Sequence, residues 1–254
     1  KMIEIFILSL VQGITEFLPV SSSSHLILIS KFVNFENQGL SIDVSLHIGS
    51  FIAVLAYFYK DIFNFFENRK LFIKIIISSI PVILIGYILV QTNFIEELRN
   101  IKVIAWMTVI FGILLYISDK FKLEKEIQTN FNFKAALIIG FFQAISLIPG
   151  VSRSGITITA ARLLNFKRFD SAKISFLLSI PTLAAVSIYG LNNILTRENL
   201  DFSIINLFSI LISFLFSFFT IKFFLGYIRK FNLNLIVAYR IILGLILLSF
   251  AYLQ

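Results

Sequence analysis

The chain has 254 residues, of which 58% are hydrophobic and only 14% are charged, and its mean hydropathy is +0.92. A soluble domain of this length cannot bury that much apolar surface, so the composition predicts a polytopic membrane protein surrounded by lipids. The net charge is +8, and no nucleic-acid partner is expected. Because cysteine is absent, disulfides and metal binding through sulfur are excluded.

The first apolar stretch is interrupted by polar residues. Residues 2–18 and 26–33 are each too short to span a bilayer comfortably, and between them lie Pro19 and a run of four serines. Backbone that is broken at membrane depth leaves amide groups unpaired unless protein or a water-filled cavity covers them. We therefore expect a re-entrant helical hairpin with its tip at residues 19–24, lining a site. The alternative is a plain loop at a helix end.

The second half of the chain repeats this organisation. Gln12 and Gln143, and Pro19 and Pro149, occupy corresponding places. The predicted fold is all-α and integral to the membrane, with six transmembrane helices and two re-entrant hairpins in a single membrane domain. The predicted spans are residues 42–59, 71–90, 101–117, 172–194, 204–228 and 235–253, the second hairpin is 133–148 with 156–164, and the polar connectors are 60–70 and 119–132.

An inverted repeat follows from counting the crossings. Three spans follow each hairpin, so the second hairpin enters from the opposite side, and the repeats cover about 1–118 and 133–254. Paired interruptions of this kind indicate a binding site at the membrane midplane. The positive-inside rule places the basic connectors in the cytoplasm and both termini outside. The basic residues of the first group are Lys60, Arg69, Lys70, Lys120, Lys122, Lys125, Lys134, Lys167, Arg168, Arg229 and Lys230, against Lys1, Lys31, Arg99, Lys102 and Arg197 on the other side.

The two interruptions have the composition of a phosphate site. The serine run supplies N-cap hydroxyls, and the free amides of a helix N-terminus favour an anion. The second interruption adds Arg153, whose planar guanidinium suits a phosphate group. The predicted phosphate-binding residues are Gln12, Ser21, Ser23, Ser152, Ser154, Gly155 and Thr157.

A protein that only binds phosphate would not need Glu16 and His25. A carboxylate beside a phosphate site repels the ligand unless it is protonated or a cation bridges the two, so we expect Mg²⁺ or Ca²⁺ at Glu16, with Gln12 four residues earlier on the same helix face. His25 can transfer a proton near neutral pH. The alternative is that Glu16 pairs with Arg153 or Arg240 as a buried strut, while His25 only satisfies a carbonyl group.

Three further residues receive structural interpretations. Asp43 and His47 lie near the start of the first span, where packing is the expected role. Arg240 lies deep in the last span, and its depth favours an internal partner over the membrane interface.

Two motifs resemble a known family. Glu-Phe-Leu-Pro-Val-Ser-Ser-Ser-Ser-His from Glu16 and Pro-Gly-Val-Ser-Arg-Ser-Gly from Pro149 are similar to the signature motifs of the BacA-type undecaprenyl-pyrophosphate phosphatases. His-Ile-Gly-Ser at His47 and Tyr-Arg-Ile-Ile at Tyr239 also fit that pattern. The resemblance covers essentially the whole chain. It implies a bacterial plasma-membrane (inner-membrane) enzyme that removes the terminal phosphate of a polyprenyl pyrophosphate, with its site facing the outside, and that confers bacitracin resistance.

The resemblance also implies residue roles. It implies that the family's acidic pair falls on Gln12 and Glu16, where glutamine is an allowed variant at the first place. It also implies a nucleophilic serine at Ser22, a functional histidine at His25 and a phosphate-binding arginine at Arg153. Many members have glycine where this chain has Ser24, a substitution that would strain the backbone if the position needs a positive φ.

Other interpretations remain to be weighed. The phosphatidic-acid-phosphatase type is excluded because Thr159 stands where its second histidine should be and no Arg-Pro pair exists. A lipid-carrier flippase or transporter is the second hypothesis, since inverted repeats are a transporter architecture. The sequence leaves open whether Ser22 or water is the nucleophile, which cation binds, which prenyl lengths are accepted, and whether the protein forms a homodimer.

Overall fold

The computed structural model describes residues 2–33, 39–67, 69–92, 97–121, 124–196 and 204–253. Lys1, Lys122, Arg197 and the side chain of Lys31, which enter the orientation argument, lie outside the described residues. The described part of the chain is all-helical, as predicted. Its helices are α1 Met2–Thr15, α2 Ser22–Val33, α3 Leu40–Tyr57, α4 Tyr59–Glu67, α5 Arg69–Gln91, α6 Ile101–Asp119, α7 Ile127–Asn130, α8 Phe133–Ile145, α9 Arg153–Leu163, α10 Arg168–Thr196, α11 Ile204–Lys230 and α12 Asn234–Leu253.

Six helices are long and apolar enough to cross a membrane: α3, α5, α6, α10, α11 and α12. They coincide with the six predicted spans, which confirms that part of the prediction. Several extend beyond the predicted bounds because terminal charged residues such as Arg69, Arg168 and Lys230 stay helical. Long basic side chains permit this, since they can reach the interface from a helix end.

Both interruptions are real breaks, but they begin and end earlier than predicted. The first runs from Glu16 to Ser21 and the second from Ser146 to Ser152. The two residues that close these breaks, Ser21 and Ser152, have positive φ angles of 76° and 73°. Because these residues turn the chain, the next serines can enter α2 as helical residues. Ser24 therefore needs no positive φ and is not strained.

Close backbone contacts hold the bundle together. α1 packs on α11, where a Cβ at Gly13 would lie 2.5 Å from Cβ of Phe216, and α8 packs on α5, where a Cβ at Gly140 would lie 2.4 Å from the carbonyl oxygen of Ser78. In the proposed repeats α1 corresponds to α8 and α5 corresponds to α11, so the pair α1–α11 corresponds to the pair α8–α5. This correspondence supports the inverted repeat, although the repeat and the re-entrance of the hairpins stay predictions.

The basic connectors gather at one end of the bundle. Asp119, at the end of α6, forms ion pairs with Arg162 at 2.9 Å and with Arg168 at 2.8 Å. It also accepts a hydrogen bond from the backbone N–H of Leu233 at 3.2 Å. This ion cluster joins the ends of α6 and α9 to the beginnings of α10 and α12. The connector at residues 60–70, predicted to be merely polar, contains the helix α4.

Candidate active site

The two hairpin tips meet inside the bundle. Nη2 of Arg153, the first residue of α9, lies 2.7 Å from Oε1 of Glu16, and the Ser154 hydroxyl donates to the carbonyl oxygen of Leu18 at 2.8 Å. Residues 137 positions apart in the chain therefore form one site. The ion pair has the geometry expected of a buried strut, since the two side chains are only 13% and 7% exposed. A purely structural ion pair does not account for the contacts of the other carboxylate oxygen, Oε2 of Glu16.

That second oxygen organises the first tip. Oε2 of Glu16 accepts a hydrogen bond from the Ser22 hydroxyl at 2.7 Å and another from Nε2 of Gln12 at 3.1 Å. Ser22 is the first residue of α2, and Gln12 lies one turn before Glu16, so both reach the carboxylate from defined helix positions. The structure thus brings together four of the predicted residues: Gln12, Glu16, Ser22 and Arg153.

His47 is a site residue that sequence reasoning assigned to packing. Its Nδ1 lies 3.1 Å from Nε2 of Gln12, the same nitrogen that donates to Glu16. A carboxylate can only accept, so the amide must present its nitrogen there, and Nδ1 of His47 must then be an acceptor. The signal that could have found His47 is the rule already applied to Glu16, that an ionisable residue inside an apolar segment is functional by default.

A serine hydroxyl caps the helix that begins at the second tip, whereas the serines of the first tip contact one another. The Ser152 hydroxyl accepts from the backbone N–H of Gly155 at 3.1 Å, an ordinary N-cap bond. At the first tip, the hydroxyl groups of Ser21 and Ser24 are 2.9 Å apart, while Ser23 is exposed. The first-turn amides that remain have no partner within their own helix and can face an anion.

Several predicted phosphate ligands already have protein partners. Thr157 donates within α9 and lies 2.7 Å from the Ser175 hydroxyl, Ser154 donates to Leu18, and the N–H of Gly155 is taken by Ser152. In this geometry they support the second tip. Their role as phosphate ligands stays a prediction.

Arg153 is held in place before any ligand arrives. Its Nη1 donates to the carbonyl oxygen of Ser175 at 3.3 Å, and its guanidinium lies 5.9 Å from the centre of the Phe17 ring. Both contacts are compatible with a planar cation that offers its remaining N–H groups to a phosphate.

His25 is oriented away from this network. Its Nδ1 donates to the carbonyl oxygen of Ser21 at 2.7 Å, and its Nε2 lies 2.6 Å from the hydroxyl of Tyr239, whose ring stacks on the imidazole. None of its described contacts is to Glu16 or Ser22. The carboxylate, and not the imidazole, is therefore the group in hydrogen-bond reach of the serine proton.

The tips offer oxygen ligands suited to a hard cation. Over the described residues, no group of three or more His, Cys, Asp or Glu side chains could hold a metal ion by itself. Glu16 supplies a carboxylate, and Oε1 of Gln12 is buried without a hydrogen-bond partner. Mg²⁺ and Ca²⁺ take such ligands and usually complete their coordination with water or phosphate. The residues fit a cation shared with a bound phosphate and do not fit a closed protein cage.

Comparison with known proteins shows which family the chain belongs to. Residues 5–246 match the model of a family described as bacitracin resistance protein BacA. The chain belongs to this family. Among BacA relatives, a Pelagibacter ubique protein named undecaprenyl-diphosphatase is 52% identical over 99% of this chain and 98% of its own length. Proteins of the same name from Saccharophagus degradans and a Jannaschia species are 43% and 37% identical, covering 93% and 98% of this chain and the same shares of their own lengths.

Proposed function

We propose that this protein hydrolyses undecaprenyl diphosphate to undecaprenyl phosphate and inorganic phosphate, and so recycles a lipid carrier of cell-wall synthesis. Family membership and the names of the relatives support this assignment. The observation that carries it is the carboxylate of Glu16, which holds a serine hydroxyl on one oxygen and an arginine on the other. The proposed nucleophile and the proposed phosphate-binding arginine thus each stand within hydrogen-bond distance of the same base.

Ser22 is the proposed nucleophile. Its Oγ attacks the terminal phosphorus, the bond from that phosphorus to the bridging oxygen breaks, and undecaprenyl phosphate leaves with the bridging oxygen. Glu16 accepts the hydroxyl proton through the existing 2.7 Å hydrogen bond. Water then attacks the phosphorus of the phosphoserine, the bond from that phosphorus to the Ser22 oxygen breaks, and the Ser22 oxygen takes back the proton from Glu16. Both protons of the water leave with the inorganic phosphate.

Arg153 and the two helix N-termini stabilise the charge that develops on the phosphoryl oxygens. A guanidinium that is fixed by Glu16 and the Ser175 carbonyl needs little reorganisation when the transition state forms. The first-turn amides of α2 and α9 add partial positive charge from two directions. Gln12 and His47 keep Glu16 in place from the opposite side.

A divalent cation, Mg²⁺ or Ca²⁺, would be held by Glu16, and Gln12 would be a second ligand if its amide group turned Oε1 instead of Nε2 toward the carboxylate. When bound, it offsets the repulsion between the carboxylate and the diphosphate and polarises a phosphoryl oxygen. The buried unpartnered oxygen of Gln12 supports this placement.

The site is proposed to open toward the outside of the plasma (inner) membrane. The positive-inside rule supports this orientation. So does the ion cluster at Asp119, which joins four helix ends beside the basic connectors and away from the tips.

The experiment is phosphate release from a prenyl diphosphate by the purified protein in detergent with Mg²⁺ or Ca²⁺. Release that Glu16→Gln abolishes while the protein stays folded is the expected result, since the amide keeps the shape of the side chain but is not a base. If folded wild-type protein released no phosphate with either cation, the hypothesis that it is an enzyme would be rejected. Movement of the lipid across vesicles in that case would favour the flippase hypothesis.

A further inference from the structure

Arg240 contacts both hairpin tips at once. It lies on α12 with no exposed surface. Its Nη1 donates to the carbonyl oxygen of Pro19 at 2.9 Å, in the first tip, and to that of Val151 at 3.1 Å, in the second. Its Nη2 donates to the carbonyl oxygen of Gly150 at 2.8 Å, and its Nε lies 3.3 Å from that of Thr108.

These bonds leave Arg240 little capacity to bind anything else. A guanidinium has five N–H groups, and four are directed at backbone carbonyls. Among the ion pairs between described residues, none involves Arg240. A buried charge without a counter-charge is costly, so a strut that only filled space would be better built from apolar atoms. The side chain is therefore suited to holding backbone and not to touching substrate.

Two of the carbonyls that Arg240 holds, those of Gly150 and Val151, lie in the irregular backbone of the second tip. Gly150 has a φ of 99° and Ser152 a φ of 73°, so the second tip uses left-handed conformations on both sides of Val151. In a trans peptide the N–H points opposite to the C=O. A Val151 carbonyl fixed on Arg240 thus turns the N–H of Ser152 away from Arg240, at the point where α9 begins and where phosphate is proposed to bind.

We propose that Arg240 is a positioning residue, which fixes the two tips against each other so that Glu16 and Ser22 of one face Arg153 of the other. This inference rests on the proposed function of the same site. If Arg240 has this role, removing it should slow the reaction because Glu16, Ser22 and Arg153 are then misplaced, although Arg240 itself does not contact the substrate.

The first test is a double-mutant cycle in phosphate release from a prenyl diphosphate. Arg240→Gln is expected to lower kcat on the order of 10- to 100-fold in the wild-type background but only about 2-fold when Arg153→Ala is already present, because the Glu16–Arg153 contact that Arg240 is proposed to align is then gone. Arg240→Lys should recover only part of kcat, since one ammonium cannot donate to all four carbonyls. Additive losses in the cycle would overturn the proposal.

Arg162→Gln is the matched control. Arg162 is also fully buried and also donates to backbone carbonyls, those of Phe166 and Asp119, but at the opposite end of α9. Its loss should lower thermal stability while kcat per folded protein changes less than about 3-fold, because the tips keep their clamp. A kcat loss equal to that of Arg240→Gln would mean that any buried arginine matters in this way, and would overturn the specific role.

A milder variant serves if Arg240→Gln does not fold. A Cβ at Gly112 would lie 3.2 Å from Cβ and 3.5 Å from Nε of Arg240, so Gly112→Ala displaces the arginine slightly without removing charge. We expect kcat to fall about 3-fold, as for a small misplacement of reacting groups. Gly226→Ala is the control, since a Cβ there meets nothing within 4 Å. Unchanged kcat in Gly112→Ala would contradict the proposal.

A distance measurement separates this inference from the proposed function. The chain has no cysteine, so spin labels can be attached at Leu18→Cys and Leu147→Cys, one on each tip, and read by double electron–electron resonance. Arg240→Gln should broaden the distance distribution, and Arg162→Gln should not. A distribution that stays narrow without Arg240 would overturn the inference whatever the turnover. Absence of turnover in wild-type protein would overturn the function and leave this result standing.

Discussion

Variants that break the Glu16–Arg153 pair should show that the stability of the protein and its rate of phosphate release depend on this pair in different ways. The two groups are 2.7 Å apart and at most 13% exposed. Removing one partner of such a pair leaves an uncompensated buried charge, at a cost of about 3–5 kcal/mol. For a chain of this size, that corresponds to a fall on the order of 10 °C in the unfolding midpoint. Arg153→Gln should therefore unfold well below the wild-type protein.

The double variant Glu16→Gln with Arg153→Gln should regain most of that stability. It leaves neither charge buried alone, and two amides can hydrogen-bond to each other. Arg153→Lys should keep most of the stability as well, because it keeps the charge. The unfolding midpoint of each detergent-purified variant, followed by intrinsic fluorescence, measures this.

Turnover should not follow stability. Loss of a bidentate charged contact to the phosphoryl group costs about 2–4 kcal/mol of transition-state stabilisation, or roughly 30- to 1000-fold in rate. Arg153→Gln and the double variant should both lose at least that much in phosphate release, and Arg153→Lys should recover only a part. Near-normal turnover by folded Arg153→Gln would refute the role assigned to this residue. Recovery of turnover in the double variant would show that the pair is only a strut.

Other predictions address the nucleophile, the caps and the orientation. Ser22→Ala should abolish phosphate release while Ser23→Ala should not, and equal mild losses would assign the attack to water. Ser152→Gly should be close to neutral in stability, because relief of the positive φ offsets the lost cap, whereas Ser152→Ala should lower it by about 1 kcal/mol; a more stable alanine variant would contradict this. In intact cells, a membrane-impermeant maleimide should label Met2→Cys and not Asn68→Cys. The reverse pattern would place the site on the cytoplasmic face.

The breaks could be predicted because they violate a physical rule. Proline and serine inside apolar stretches have no place in a plain span, so the sequence alone indicated two interruptions and a site between them. Their bounds were wrong by about three residues, a typical error at helix ends. The reason lies in Ser21 and Ser152, whose positive φ angles end each break so that the next residue, a serine or an arginine, already belongs to a helix.

Of the partners across the fold, the sequence suggested the Glu16–Arg153 pair only as an alternative, and it did not suggest the others. His25 and Tyr239 are 214 residues apart, and the carbonyls that Arg240 holds carry no sequence signature at all. His47 was missed because a lone histidine near a span end is usually a packing residue, and only the tertiary contact with Gln12 reveals its place. The helix α4 was missed because it is short and half polar, which makes it resemble a connector.

The charges gathered at the tips fit a ligand that loses charge during the reaction. Glu16 and Arg153 cancel each other, and Arg240 contributes one uncompensated positive charge. The two helix N-termini add about half a charge each, so the tips present roughly +2 without the proposed cation. A diphosphate satisfies this field better than the monophosphate ester that remains after cleavage. The arrangement that binds the diphosphate should therefore hold the lipid product less tightly once the terminal phosphate has been transferred to the proposed nucleophile, Ser22.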